Sequence, residues 1–333
     1  MRPGRFNLQD KLFNKIEALN ATIWKDHVLT KPIIIGWLDN FNNEKERLHA
    51  LFLLSRFMYF GSVHIRELLK ALYRDLYKYP IIEDIRKTHS NTMDIDIIKR
   101  EFEDRLHKTK FVGVGGPSES GSMLVYHFRL VNSLSMDSFA NQGDLVISVG
   151  TTNKEVLKEP QINHYIFIDD FCGSGQQAST YLDDLVAKIK TIDPDITIDY
   201  LTLFAMQDGI RKIKLSKKFN RVEAVFEMNI SFKCFSHLSR YKDDLPAQID
   251  FTYAKQMCAN YGKKLIHSLC QQADKNASPE QLNRCAERNA LGFNNDQLLL
   301  GFQHNVPDNT LPIIWYNEKI VDWTPIFQRY NKK

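Results

Sequence analysis

A chain of 333 residues is long enough to bury a large core, and two domains is the natural expectation. Its 43% hydrophobic and 25% charged content is that of a globular protein, and a formal net charge of +4 is too small to mark a nucleic-acid binder. No apolar run approaches the roughly 20 residues of a membrane span, and the first residues lack a signal-peptide core, so a cytoplasmic protein is expected. The five cysteines (Cys172, Cys234, Cys258, Cys270 and Cys285) form no C-x-x-C pair. Their odd number and scattered spacing fit reduced cytosolic thiols rather than a zinc site.

The first 90 or so residues carry helical periodicity. Leu8, Leu12, Phe13, Ile16 and Leu19 share a face, and Leu48, Leu51, Phe52, Leu54, Phe57 and Met58 mark a second helix over 44–60. Gly61 and Ser62 break it, with Ser62 as an N-cap for a third helix over 63–77. Helix, short turn and helix resemble a helix-turn-helix or winged-helix unit. Arg66, Lys70 and Arg74 fall on one face, which could meet nucleic-acid phosphates or simply be solvated.

A strand then runs into a glycine loop at Phe111-Val112-Gly113-Val114-Gly115-Gly116, and Pro117 to Ser122 lead into a helix over 123–130. Gly115 and Gly116 allow close backbone approach to a ligand, and Ser118, Ser120 and Ser122 offer hydroxyls. No Gly-Lys-Ser/Thr follows, so this is not a Walker A loop.

The second strand–loop–helix unit is more informative. Tyr165 to Ile168 is a short apolar run ending in two acids, Asp169 and Asp170. A small-residue loop follows, Cys172-Gly173-Ser174-Gly175, and after Gln176 and Gln177 apolar residues recur at helical spacing from Ala178 to Lys190. Loop N–H groups and a helix N-terminus together suit a phosphate, and the acids stand where they could bind sugar hydroxyls. The segment therefore suggests a phosphorylated ribose.

Ile196 to Met206 reads as a buried strand, 207–210 as a short helix or turn, and 222–230 as another strand. The alternation predicts an α/β fold with a parallel sheet and right-handed crossovers, whose ligands bind beyond the carboxyl ends of the strands. Both small-residue loops lie at such ends. The run Arg211 to Lys218 holds five basic residues in eight and is either a phosphate contact or a solvated helix face. A helix is expected over 251–269 and a helix start at Ser278-Pro279. In the tail, 294–315, an apolar strand, a turn held by Pro307 and Pro312, and a second apolar run suggest a hairpin. His304, Asn305, Asp308, Asn309 and Trp315 are its candidate ligand contacts, with Trp315 able to stack on a base or to sit in a core.

The apolar strand, the Asp169-Asp170 pair and the Gly173-Ser174-Gly175 loop resemble the phosphoribosyl pyrophosphate (PRPP) loop of type I phosphoribosyltransferases. The resemblance implies that Asp169 and Asp170 hold ribose hydroxyls as the catalytic acid pair. It implies that Cys172, Gly173, Ser174, Gly175, Gln176 and Gln177 form the phosphate loop, with Ser174 as hydroxyl donor. Gln177 departs from the family's usual Thr. The earlier loop, with Gly115, Gly116, Ser118, Glu119 and Ser120, matches the family's pyrophosphate loop but lacks a basic residue.

Taken with the motif from His304 to Pro312, these loops resemble a divergent phosphoribosyltransferase-like family of bacterial conflict systems, including retron-associated anti-phage effectors. Such proteins typically carry a helical or winged-helix region before the catalytic-type domain. The resemblance implies domains at 1–100 and 101–333, with a C-terminal cap at 250–325. It also implies Mg2+ on the pyrophosphate, with Asp169 and Asp170 as candidate ligands. It implies a defence role and a partner protein or nucleoprotein, such as a reverse transcriptase–DNA complex. Three functions stay open: transfer or cleavage at ribose C1, a non-catalytic nucleotide-binding regulator, and a nucleic-acid adaptor acting through the N-terminal helices.

Overall fold

Strands buried on both faces of a parallel sheet read as continuous apolar runs, and the two longest such runs of the chain form neighbouring strands of one sheet. The structure, a computed structural model, describes residues 7–25, 29–115, 120–150 and 154–329. Its elements begin with α1 (Leu8–Thr22), α2 (Lys31–Leu38), α3 (Glu44–Leu54), β1 (Met58–Phe60), α4 (Ser62–Ala71), a π-helical segment (Leu72–Lys78), α5 (Tyr79–Thr88) and α6 (Ile95–His107). Next come β2 (Thr109–Gly113), α7 (Ser120–Val131), β3 (Phe139–Ala140), β4 (Val146–Val149), β5 (Lys154–Leu157), β6 (His164–Cys172), α8 (Gln176–Ile192), β7 (Thr197–Met206), α9 (Gln207–Leu215) and β8 (Arg221–Met228). The chain finishes with α10 (Phe251–Ala273), α11 (Pro279–Asn289), β9 (Leu300–Phe302) and α12 (Pro312–Trp315). Among the described residues no helix is long and apolar enough to cross a membrane.

Contacts divide the chain into two units, residues 1–64 with 229–333, and residues 65–228. This differs from the expected boundary near residue 100, which falls inside α6. The reason is a shared core. Leu12, Ile16, Trp24 and Trp37 from the N-terminal helices pack in one cluster with Leu265, Ile313 and Trp315 from the C-terminal part. The 250–325 segment is therefore built into the same unit as the N-terminal helices.

The unit of residues 65–228 carries the α/β architecture expected from sequence. Its sheet has the order β3-β2-β6-β7-β8, with every neighbouring pair parallel. On one face, Leu182, Val186 and Ile189 of α8 and Ile210 and Ile213 of α9 join Tyr165, Phe167, Ile198 and Tyr200 of the strands. Tyr77, Phe111 and Phe128 form a separate aromatic group in the same unit. The antiparallel pair β4–β5 stands apart from this sheet. It went unforeseen because β4 is half-exposed to exposed along its length and lacks the apolar alternation of a packed strand.

The π-helical segment has a local cause. Pro80 has no N–H to offer the Leu76 carbonyl four residues earlier, and Arg221 Nη2 donates to that carbonyl instead, at 2.8 Å. The same guanidinium holds Asp199, which is 1% exposed, through Nε at 3.0 Å and Nη2 at 2.8 Å. His164 Nε2 lies 2.9 Å from the same oxygen. Burial alone would raise the Asp199 pKa, but His164 and Arg221 together hold it below the usual carboxylate value.

In the other unit the second predicted helix stops at Leu54, and Met58 to Phe60 form β1, which pairs in parallel with β9. The tail is therefore not a hairpin. Its first apolar run pairs with β1, and its second becomes the one-turn helix α12, with Pro312 in the first-turn position that proline favours. The predicted helix start at Ser278-Pro279 is a full capping box: Ser278 Oγ accepts from Gln281 N and Gln281 Oε1 accepts from Ser278 N.

The expectation of five reduced thiols is also corrected, because Cys270 and Cys285 are disulfide-bonded. Helices α10 and α11 run antiparallel and close together. A Cβ on Gly262 would fall 1.8 Å from the Ala290 carbonyl oxygen, and Lys263 pairs with Glu287 beside it. That approach sets the two cysteines opposite each other, with Cα atoms 6.3 Å apart. Cys172, Cys234 and Cys258 are free and buried.

Candidate active site

Numbered only among themselves, the five strands of the sheet run 2-1-3-4-5. In such an open sheet the crevice for ligands lies at the carboxyl ends of the strands where the winding reverses, here between β2 and β6. Both glycine loops leave the sheet at that place. Pairing continues past the strand ends, since Val114 N donates to Ile168 O at 2.9 Å.

The loop after β2 is drawn tight by small residues. A Cβ on Gly113 would lie 2.7 Å from the Gly121 carbonyl oxygen, and one on Gly121 would lie 2.1 Å from that of Val114. Gly115 has φ 103, a conformation open to glycine and strained for other residues. Gln142 Nε2 donates to the Gly113 carbonyl at 2.7 Å and to the Gly115 carbonyl at 3.3 Å, holding the loop from the side. Gly116, Ser118 and Glu119 lie outside the described residues, as does the side chain of Ser120, which opens α7.

The loop after β6 turns through Gly175, at φ 71 and ψ 0, directly into α8. No side chain caps the helix at Gly175. The N-cap glycine leaves the loop side of the α8 N-terminus clear of its own side chain, the arrangement that suits an anion. Ser174 Oγ accepts from Gln176 N at 3.3 Å, so its own proton can be given to a ligand. Gln176 is exposed, and the side chain of Gln177 lies outside the described residues. The loop is backed by α9, where a Cβ on Gly209 would fall 2.2 Å from the Gly173 carbonyl oxygen and 3.1 Å from Cys172 Sγ.

The acid pair divides. Asp169 is 4% exposed. Its Oδ2 accepts from Tyr200 Oη at 2.6 Å, and its Oδ1 accepts from Asp170 N at 2.9 Å. Burial first, then the charge of Asp170, push the Asp169 carboxyl above the ordinary carboxylate range, against the pull of the Tyr200 hydrogen bond. Asp170 is half-buried, the more exposed residue of the pair.

Over residues 34–329 the sequence matches the PRTase-CE family. The chain belongs to this family. It is a phosphoribosyltransferase-like family, and the mixed α/β fold with a central parallel sheet agrees with it. No curated protein matches the chain. Among solved structures, the AQ2163 protein from Aquifex aeolicus is 9% identical, with 60% of this chain and 86% of that one covered and a TM-score of 0.28. The orotate phosphoribosyltransferase from Aeropyrum pernix is 13% identical, with coverage of 49% and 76% and a TM-score of 0.25. The Helicobacter pylori xanthine-guanine-hypoxanthine phosphoribosyltransferase is 9% identical, with coverage of 52% and 89% and a TM-score of 0.26.

The C-terminal candidates of this PRTase-CE chain lie in the other unit, and each has a local partner. Asn309 is buried and held by internal hydrogen bonds. Its Nδ2 donates to Asp296 Oδ2 at 2.7 Å and to the Phe293 carbonyl at 3.3 Å. Trp315 is likewise buried, with Nε1 donating to the Thr310 carbonyl at 2.8 Å. Asn305 Oδ1 accepts from Val306 N, Asp308 pairs with Arg329, and the His304 ring stacks on Phe302. A turn bounded by two prolines needs internal polar partners for its backbone, and these side chains supply several of them.

Of the two acids expected as magnesium ligands, Asp169 is the enclosed one. Both Asp169 oxygens are already engaged in hydrogen bonds, and among the described residues no group of three His, Cys, Asp or Glu side chains converges as metal ligands. Asp170 remains as a single candidate carboxylate, and Mg2+ commonly takes one carboxylate together with substrate phosphates.

Three residues of the candidate site were missed by reading the sequence: Tyr200, Gly209 and Gln142. Tyr200 was absorbed into the apolar run of β7. Gly209 was the one with a local signal, a glycine inside a helical pattern where close backbone approach is a usual cause.

Proposed function

We propose that this protein binds a 5-phosphoribosyl ligand, PRPP or a nucleotide, at the loops closing β2 and β6, and transfers or cleaves at ribose C1. The carrying observation is that two glycine-tightened loops meet at the reversal point of the sheet, one of them opening a helix without a side-chain cap. In this reading the Gly173 to Gly175 backbone, the Ser174 hydroxyl and the α8 N-terminus hold the 5′-phosphate. Asp170 accepts from the ribose hydroxyls, and the loop at Gly115 faces the leaving pyrophosphate or base. Mg2+ held by pyrophosphate and Asp170 would neutralise phosphate charge.

Cleavage at C1 passes through an oxocarbenium-like state, so the chain's task is positioning and charge stabilisation rather than covalent attack. The resemblance to conflict-system effectors favours a role in anti-phage defence, with a partner protein or nucleoprotein restraining or triggering the site. A second reading, a regulator that binds a nucleotide without turning it over, is favoured by Gln177 at the loop's end and by the engagement of Asp169 with Tyr200.

The test is a mass-spectrometric metabolite profile of cells expressing wild type or Asp170→Asn, with and without a neighbouring gene. Loss of one nucleotide and gain of its base in wild type alone supports the enzyme. Identical profiles, with ligand binding retained, support the regulator. Identical profiles without binding contradict both.

A further inference from the structure

Two adjacent acids at the end of a strand point to opposite faces of the sheet, because side chains alternate along a strand. Asp169 therefore shares its face with Phe167, two residues earlier. That face carries Tyr200, which pairs with Phe167 in the β6–β7 register and is itself fully buried. Asp169 is 4% exposed and each of its oxygens accepts a hydrogen bond: one takes the Tyr200 hydroxyl and the other takes the Asp170 backbone N–H.

Resting on the phosphoribosyl reading above, we propose that Asp169 does not touch the sugar. It is a positioning residue, and Tyr200 acts through it to set the Asp170 carboxylate against the ribose hydroxyls. The chain of contacts is short and one-directional. The Tyr200 hydroxyl fixes the Asp169 carboxyl; that carboxyl fixes the Asp170 N–H; Asp170 meets the diol. Both contacts of the Asp169 carboxyl are hydrogen bonds at its two oxygens, so an amide of the same shape can take its place. An asparagine keeps an oxygen for the Asp170 N–H and turns its NH2 to the Tyr200 oxygen.

The experiment is titration calorimetry of the full chain with ribose 5-phosphate and with 2-deoxyribose 5-phosphate. Wild type is expected to prefer the ribose form, and Asp170→Asn to lose that preference. Tyr200→Phe is expected to weaken ribose 5-phosphate about tenfold, the loss of one well-placed hydrogen bond to a charged group, while leaving the deoxy form nearly unchanged. Asp169→Ala should behave like Tyr200→Phe, and Asp169→Asn should restore the preference.

A general loss of folding moves both probes together, whereas loss of positioning moves only their ratio. Should Tyr200→Phe fail to fold, the Asp169→Ala and Asp169→Asn pair decides alone. An Asp169→Asn loss as large as that of Asp170→Asn means that Asp169 binds the sugar directly and overturns the inference, as does an unchanged ratio in Tyr200→Phe. Wild type binding neither probe overturns the phosphoribosyl reading itself, and this inference with it.

Discussion

Gly209 lies so close to Gly173 that a side-chain carbon on the first would sit 2.2 Å from the carbonyl oxygen of the second. The first turn of α9 thus braces the phosphate-type loop backbone against backbone. In Gly209→Ala two effects oppose each other. Alanine in a helix gains up to about 1 kcal/mol over glycine, while overpacking against a rigid backbone costs about 1–3 kcal/mol. The clash is with a carbonyl and not with a flexible side-chain end, so destabilisation wins. We expect a lower unfolding midpoint and weaker phosphoribosyl binding, read by thermal unfolding with and without ligand.

Asp169 links stability to pH. Its folded-state pKa is raised above the unfolded value of about 3.9. The folded state therefore holds this proton more tightly than the unfolded chain. The resulting stability is fully present below about pH 4 and is lost as pH rises through the folded pKa. Asp169→Asn has no such proton to lose. Thermal unfolding of the variant across pH 4 to 8 should show a flatter profile than wild type, with its relative gain largest at the alkaline end.

Arg221 pairs with Asp199, a carboxylate that is 1% exposed. Arg221→Ala leaves Asp199 with His164 alone and frees the Leu76 carbonyl beside Pro80. Breaking a buried pair by removing one partner costs about 3–5 kcal/mol. Chemical denaturation should show a loss of this size, and Arg221→Lys should recover only part of it, since one ammonium cannot reproduce the forked contact.

The Cys270–Cys285 bond closes a loop of 15 residues in sequence separation. A loop of that length is worth about 3 kcal/mol through restriction of the unfolded chain. Cys285→Ser should lower the denaturation midpoint and abolish its sensitivity to reductant. Residues 65–228 carry no part of this bond, so the β6 loop should bind ligand as before.

The sheet and the second loop were legible because their signals are local. Tyr165 to Ile168 and Ile196 to Met206 are apolar runs, as a strand buried on both faces must be. The Asp169-Asp170 pair and the glycines after it announce a turn into a helix. What the sequence hid is long-range. No spacing rule relates Asp169 to Tyr200, or Gly173 to Gly209, before the strand register is known. The division into units was equally hidden, because Trp37 meets Ile313 only in the folded chain, where its Nε1 donates to the Ile313 carbonyl at 2.8 Å. For Asn309 and Trp315 the sequence left two readings open, because buried polar groups that complete a turn have the same residue types as those that complete a ligand site.

The central claim is that the β6 loop holds a phosphoribosyl group through Asp170. Its most direct measurement is calorimetric titration of wild type and Asp170→Asn with PRPP and Mg2+. The account predicts saturable one-site binding by wild type and at least about tenfold weaker binding by Asp170→Asn, the worth of a hydrogen bond to a charged group. Equal binding by the two proteins, or no binding by wild type, contradicts it.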